Sequence, residues 1–255
     1  MSVIILSKRK LKSIILFLLI GVISITCLST TGAYAVFNGS NLRKLPIYSV
    51  EREGKKIAIS FDCAWGVDYT DTLLEIMDRE KVRCTFFMVE FWTKKYPDYV
   101  KKIDGFGHEI GTHSATHPYM SKLGKDAIIK ELSSSSKAIT DITGKSVEVF
   151  RAPYGDYDDL LIDTATELNL YVIQWDVDSL DWKNLSKEEI ENRVLSKVKS
   201  GSIVLFHNNG LNTAKALPKI IAELKKQGYE FVPIGELIYR TNYQMAVDGR
   251  QFSTL

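Results

Sequence analysis

Two of the four histidines in this 255-residue chain stand four positions apart, in Gly111-Thr112-His113-Ser114-Ala115-Thr116-His117-Pro118. On one helical turn, side chains at that spacing lie about 5–6 Å apart between Cβ atoms. Two imidazoles so placed reach one ion with metal–nitrogen bonds of roughly 2.0–2.1 Å. The chemistry suggested is metal binding. Spacing alone is weak evidence, because most histidine pairs are surface or core residues. The pair gains weight from the reactive side chains that punctuate the rest of the chain: Asp62, Arg151, Asp178 and His207.

Those residues need elements to bring them together. Apolar, strand-like runs at 57–61, 84–89, 108–112, 147–150, 170–175, 202–206 and 231–234 alternate with amphipathic stretches at 71–80, 125–142, 157–168, 187–200 and 213–227. Asp156 is placed to cap the 157–168 helix and Ser186 the 187–200 helix, while Gly228 stops the last. Alternation of this kind implies a parallel sheet, and seven strands imply closure or near closure. The expected fold is α/β, a distorted seven-stranded (β/α) barrel. Asp62 follows the first strand, His113 the third, Arg151 the fourth and Asp178 the fifth, and His207 closes the sixth. Strand C-termini share one face of a parallel barrel, so residues spread from 62 to 207 converge on one rim. His108 begins the strand that His113 ends, roughly 17 Å away, and is assigned no catalytic role.

The length suits one domain with a large core, and no internal repeat is visible. Lys8, Arg9, Lys10 and Lys12 lie in a leader without acidic residues; taking those four from 33 basic side chains leaves 29 against 31 acidic, a net of −2. A near-neutral body gives no reason to expect nucleic acid as a partner. The leader continues with an apolar run at 14–28 and the small-x-small pattern Ala33-Tyr34-Ala35. That run is shorter than the ~20 residues of a spanning helix, which favours cleavable export over a membrane anchor formed by 14–28. Ser24-Ile25-Thr26 is a poor lipoprotein context for Cys27. Cys63 and Cys84 fall near opposite ends of neighbouring strands, some 15–20 Å apart, so no disulfide is expected between them.

Ser60-Phe61-Asp62, His113-x-x-x-His117, Arg151-Ala152-Pro153-Tyr154-Gly155, Asp178-Ser179-Leu180-Asp181-Trp182 and Leu205-Phe206-His207 together resemble the polysaccharide deacetylase family, with its NodB-homology domain. All five motif positions occur in order over about residues 55–240. Phe61-Asp62-Cys63-Ala64-Trp65-Gly66 resembles the PdaB-like sporulation branch. The resemblance implies a metal-dependent amidase that removes acetyl groups from an N-acetylated glycan of the cell wall, peptidoglycan or chitooligosaccharide. In that scheme His113 and His117 hold one divalent ion, with zinc the default for such ligands. Asp62 is the general base, Arg151 keeps it ionised, and the Tyr154 N–H donates to the oxyanion. His207 protonates the leaving amine with Asp181 behind it, and Trp182 and Leu205 line the acetyl pocket. The chain then divides into a leader at 1–35, a spacer at 36–53, the catalytic domain at 54–241 and a tail at 242–255, acting as an exported monomer.

The pattern departs from the family at one position. The residue after the base is usually a second, metal-ligating aspartate, and here it is Cys63. A thiolate is a good zinc ligand, Asp68 in the following loop is another candidate, and a two-ligand site completed by water is a third arrangement. A small buried Cys63 with no role is equally open. An O-acetyl esterase is the nearest enzymatic rival. A catalytically silent relative that binds glycan through Trp65, Tyr154 and Trp182 is the rival of a different class.

Overall fold

The computed structural model describes residues 43–255; the expected export leader and Cys27 lie outside them. Among the described residues no helix is long and apolar enough to cross a membrane. In chain order the elements are β1 (Ser49–Val50), β2 (Lys56–Cys63), α1 (Thr70–Arg79), β3 (Thr85–Met88), α2 (Glu90–Lys95), α3 (Pro97–Gly105), β4 (Glu109–Thr112) and α4 (Lys125–Thr143). They continue with β5 (Val149–Phe150), α5 (Asp159–Glu167), β6 (Tyr171–Val172), β7 (Val177–Asp178), α6 (Lys187–Leu195), β8 (Ile203–His207), α7 (Thr213–Lys226), β9 (Glu230–Phe231), α8 (Ile234–Leu237), β10 (Tyr243–Met245) and β11 (Arg250–Ser253). Seven parallel strands form a curled half-barrel in the order β6-β5-β4-β3-β2-β8-β7, and β9 pairs with the start of β2. This is the distorted seven-stranded barrel that the strand–helix alternation implies.

Period-two alternation divides each strand between two cores. On β2, Ile57, Ile59, Phe61 and Cys63 face the surrounding helices, where Phe61 stacks on Phe86 at 5.0 Å and on Phe206 at 5.8 Å. Ala58 instead packs inside the curl with Phe87, Val149 and Ile203. Each fully buried aromatic or aliphatic side chain of this kind stabilises the fold by roughly 1.5–3 kcal/mol. Asp62, at the end of β2, belongs to the inner set. Register aligns Asp62 with Phe87 of β3 and with His207 of β8, and Thr112 with Phe150. The first residues past these strand ends are therefore brought level by backbone pairing.

Three expectations change. Val177 and Asp178 form a separate strand at the opposite edge of the sheet from β6, so Asp178 lies beside Leu205 rather than at the end of a 170–175 strand. The segment 173–176 carries the chain from one edge to the other. Strand β1 falls within the expected spacer and β10 and β11 within the expected tail: β1 pairs with β11, which pairs with β10, in a second small sheet. Asp248-Gly249, with Gly249 at φ 77°, carries the turn signal that marks this hairpin. Lastly, Asp158 caps α5 by accepting from the Leu161 N–H, not Asp156. Ser186 does cap α6, in a capping box with Glu189, and Gly228 follows α7 at φ 85°.

Gly111 is the position inside the curl where no side chain fits. A Cβ there would lie 2.7 Å from the Phe87 ring and 2.8 Å from Val149. Gly111→Ala is expected to destabilise the fold by about 1–3 kcal/mol, the usual effect of overpacking; an unchanged denaturant midpoint would show that Phe87 yields freely.

Candidate active site

Asp62 and Arg151 form the innermost pair. Arg151 follows β5, points into the curl and is 0% exposed. Its Nη1 donates to Asp62 Oδ1 at 2.8 Å and its Nη2 to the Gln174 carbonyl at 3.2 Å. The guanidinium lies over the Phe87 ring at 4.2 Å, a favourable cation–π contact. Burial works to raise the Asp62 pKa. Arg151, followed by the imidazoles of His113 and His207, outweighs it and holds the carboxyl below its ordinary value.

His113 ends the β4 run and His117 follows in a loop. The expected helical turn is absent: Ser114 and His117 both adopt positive φ, 72° and 60°. The loop is pinned from α4, where the Glu131 carboxylate accepts from the N–H groups of Ala115 and Thr116 at 2.8 Å each. The Ser114 hydroxyl accepts from the His117 N–H at 3.1 Å. The two rings end 5.0 Å apart, centre to centre. Burial pushes both imidazoles toward the neutral form, His117 to about 4.

His207 ends β8. Its Nδ1 donates to Asp181 Oδ1 at 2.7 Å, and its backbone N–H to Asp181 Oδ2 at 2.8 Å. The Thr213 hydroxyl also donates to Oδ2, at 2.6 Å. Asp181 thus serves His207 rather than capping a turn. Gly210 makes room for it, because a Cβ there would meet Asp181 Oδ2 at 2.7 Å. Burial disfavours the His207 imidazolium, but the Asp181 hydrogen bond and charge, with Asp62 and Asp178, outweigh it and raise the pKa.

Asp62, His113, His117, Tyr154, Asp178, Trp182, Leu205 and His207 line one cavity of about 590 Å³. Tyr154 sits at φ 60° in a 3₁₀ turn over Pro153–Gly155, a strained conformation for a non-glycine residue. Ala64, Trp65, Trp175, Asn184, Asn209 and Gly210 complete the wall. The two asparagines had no signal in the sequence. Trp175 had one, since it ends the expected 170–175 strand and strand C-termini face the rim. His108 is buried at the other end of β4 against Cys84 and Phe86, and burial lowers its pKa to about 4.

A family model described as polysaccharide deacetylase matches residues 49–173. A peptidoglycan-N-acetylglucosamine deacetylase of Bacillus cereus is 36% identical over 196 residues, which cover 75% of this chain and 92% of that one. The chain belongs to the polysaccharide deacetylase family. The uncharacterized protein YlxY of Bacillus subtilis is 33% identical over 79% of this chain and 63% of its own length. Among solved structures, a Bacillus anthracis protein described as a CE4 family pseudoenzyme superposes with a TM-score of 0.73 at 33% identity, covering 80% of this chain and 69% of that one. The chain spans 41% to 66% of the length of YlxY and of several peptidoglycan deacetylases from Bacillus and Listeria.

Polysaccharide deacetylases of this pattern imply a metal ion, and two observations fit one. A carbonyl oxygen only accepts, so the 2.8 Å contact of His113 Nδ1 with the Arg151 carbonyl puts the proton on Nδ1 and a lone pair on Nε2. That lone pair faces Asp62 Oδ2 at 3.6 Å, an opposition that a cation relieves. His117 Nδ1 is buried without a hydrogen-bond partner. Both imidazoles therefore suit an ion such as zinc. A third protein ligand is another matter. Alternation turns the Cys63 thiol away from Asp62 into the helix-facing core, and burial, then the Asp62 charge, push its pKa well up. Asp68 is exposed beside Gly66 and outside the cavity wall. Among the described residues no group of three or more His, Cys, Asp or Glu side chains is arranged to hold a metal. Cys63 and Cys84 are both free. Thiol labelling of the native protein is expected to be identical in rate and extent for the wild type and Cys63→Ala; a labelled thiol lost in the variant would place Cys63 in the cavity.

Proposed function

We propose that this chain is a metal-dependent hydrolase that removes N-acetyl groups from a cell-wall glycan outside the cytoplasm. One observation carries the reading: the buried pair of Asp62 with Arg151 and the pair of His207 with Asp181 face the same cavity, beside the two imidazoles. A bound divalent ion would polarise the amide carbonyl and lower the pKa of water toward ~7. His113 and His117 would hold that ion. Asp62, ionised because Arg151 outweighs burial, would take the proton of the attacking water. The Tyr154 N–H would donate to the oxyanion. His207, kept cationic by Asp181, would protonate the leaving amine, and Trp182 and Leu205 would flank the acetyl group. Relatives named for N-acetylglucosamine and for N-acetylmuramic acid support peptidoglycan as the substrate class. Export through the 1–35 leader, action as a monomer and a sporulation setting complete the proposal, the last on the resemblance of 61–66 alone.

A second reading has its own support. With Cys63 turned into the core, only His113 and His117 would hold the ion, where catalytic zinc usually has three protein ligands. A likeness to a described pseudoenzyme points the same way. In that case the cavity binds glycan without cleaving it.

The whole chain is expected to hold about one divalent ion and to release acetate from N-acetylglucosamine oligomers or peptidoglycan. Asp62→Asn and His113→Ala are expected to lower the rate by roughly 10²–10⁴-fold, with circular dichroism showing that both remain folded. Full acetate release by either variant sinks the hydrolase, and glycan binding without any acetate from the wild type supports the silent alternative. The pH profile follows from the two shifts. The lowered Asp62 value means the base is lost only as pH falls below the ordinary carboxylate range. The raised His207 value means the acid is lost as pH rises above the ordinary 6.5. Asp181→Asn is expected to move the alkaline limb of kcat/KM downward; a limb that stays put would detach it from His207.

A further inference from the structure

The cavity's aromatic wall does not stop at its rim. Tyr154 lines the cavity and is 58% exposed, and Tyr119, outside it, is 55% exposed. Their rings stack at 4.3 Å with 18° between planes. Tyr154 in turn meets the His117 ring edge-on at 4.6 Å, and His117 meets Trp65, 57% exposed, at 5.0 Å. Four rings thus run as one ledge from the catalytic cavity outward. Isolated exposed aromatics need no explanation, but a contiguous set does.

The ledge is built rather than incidental. Asp156 accepts from the Ser121 N–H at 2.8 Å and from its hydroxyl at 2.9 Å, tying the segment that carries Tyr119 to the turn that carries Tyr154. Met120, between them, is fully buried. The pair is therefore held in register before any ligand arrives, which removes part of the ordering cost of binding.

We propose that the stacked pair of Tyr119 and Tyr154 is a sugar-stacking subsite that receives a neighbouring residue of the same glycan chain whose acetylated unit occupies the cavity. The inference rests on reading the cavity as a glycan site. A rigid ring that is apolar on its face and polar at its tip suits the apolar face of a pyranose whose hydroxyls stay in water. Continuity with the cavity, through Tyr154 as a shared ring, selects the same polymer as the occupant.

Calorimetric titration of the whole chain with N-acetylglucosamine oligomers, from dimer to hexamer, tests this. Affinity is expected to climb about tenfold from the dimer to the longer oligomers, the order of one aromatic contact. Tyr119→Ala is expected to lose that climb and keep the dimer affinity, while Tyr119→Phe, which keeps the ring, retains it. Affinity independent of length, or a climb undiminished in Tyr119→Ala, overturns the subsite. Acetate measured in the same samples separates the two claims. Acetate release without length dependence removes the subsite and leaves the hydrolase, and length-dependent binding without acetate does the reverse.

Discussion

The fold is built around one buried charge. Arg151 is fully enclosed, and its guanidinium meets one carboxylate, one backbone carbonyl and the rings of Phe87 and Trp175, while its Nε has no hydrogen-bond partner. Removing the partner of such a charge typically costs about 3–5 kcal/mol, so Asp62 is held to Arg151 by stability as well as by any chemistry. The requirement propagates outward. Phe87 must lie under the guanidinium, and Gly111 must be bare so that Phe87 can. The segment 173–176 must cross so that Gln174 can offer its carbonyl.

Much of this was legible because strands obey a two-residue period. Residues that end inward-facing positions of parallel strands meet at one mouth, and Asp62, His113, Arg151 and His207 do so. The same period is what the structure follows at Cys63, which lies next to Asp62 on β2 and packs in the helix-facing core. Other features were beyond reach of periodicity. Val177–Asp178 is too short to show a pattern. The loop from His113 to His117 depends on positive φ at two non-glycine residues, supported by Glu131 from the helix that follows. Asp156 looks like a cap by residue type and position, yet it bonds a serine 35 residues away.

The two histidine-centred arrangements differ in how completely they are satisfied. Asp181 spends both oxygens on His207 and Thr213, leaving His207 one free face toward the cavity. His113 is fixed on one side by a carbonyl and opposed on the other by a carboxylate, while His117 has a buried nitrogen with no partner. The His207 arrangement is complete from protein groups alone. The imidazole pair is not, since it leaves one nitrogen opposed to a carboxylate and another buried without a hydrogen-bond partner.

The crossing between the edge strands has a mechanical meaning. Strands β6 and β7 are each two residues long, and no ladder joins them across the mouth of the curl. That seam is bridged instead by the segment at 47–50: the Ile47 N–H donates to the Val172 carbonyl and the Ile47 carbonyl accepts from the Gln174 N–H, while the Val50 N–H donates to the Gly201 carbonyl beside β8. Both sides of the seam therefore hang on the residues that precede β2, and loosening that short stretch would slacken the barrel together with the small sheet.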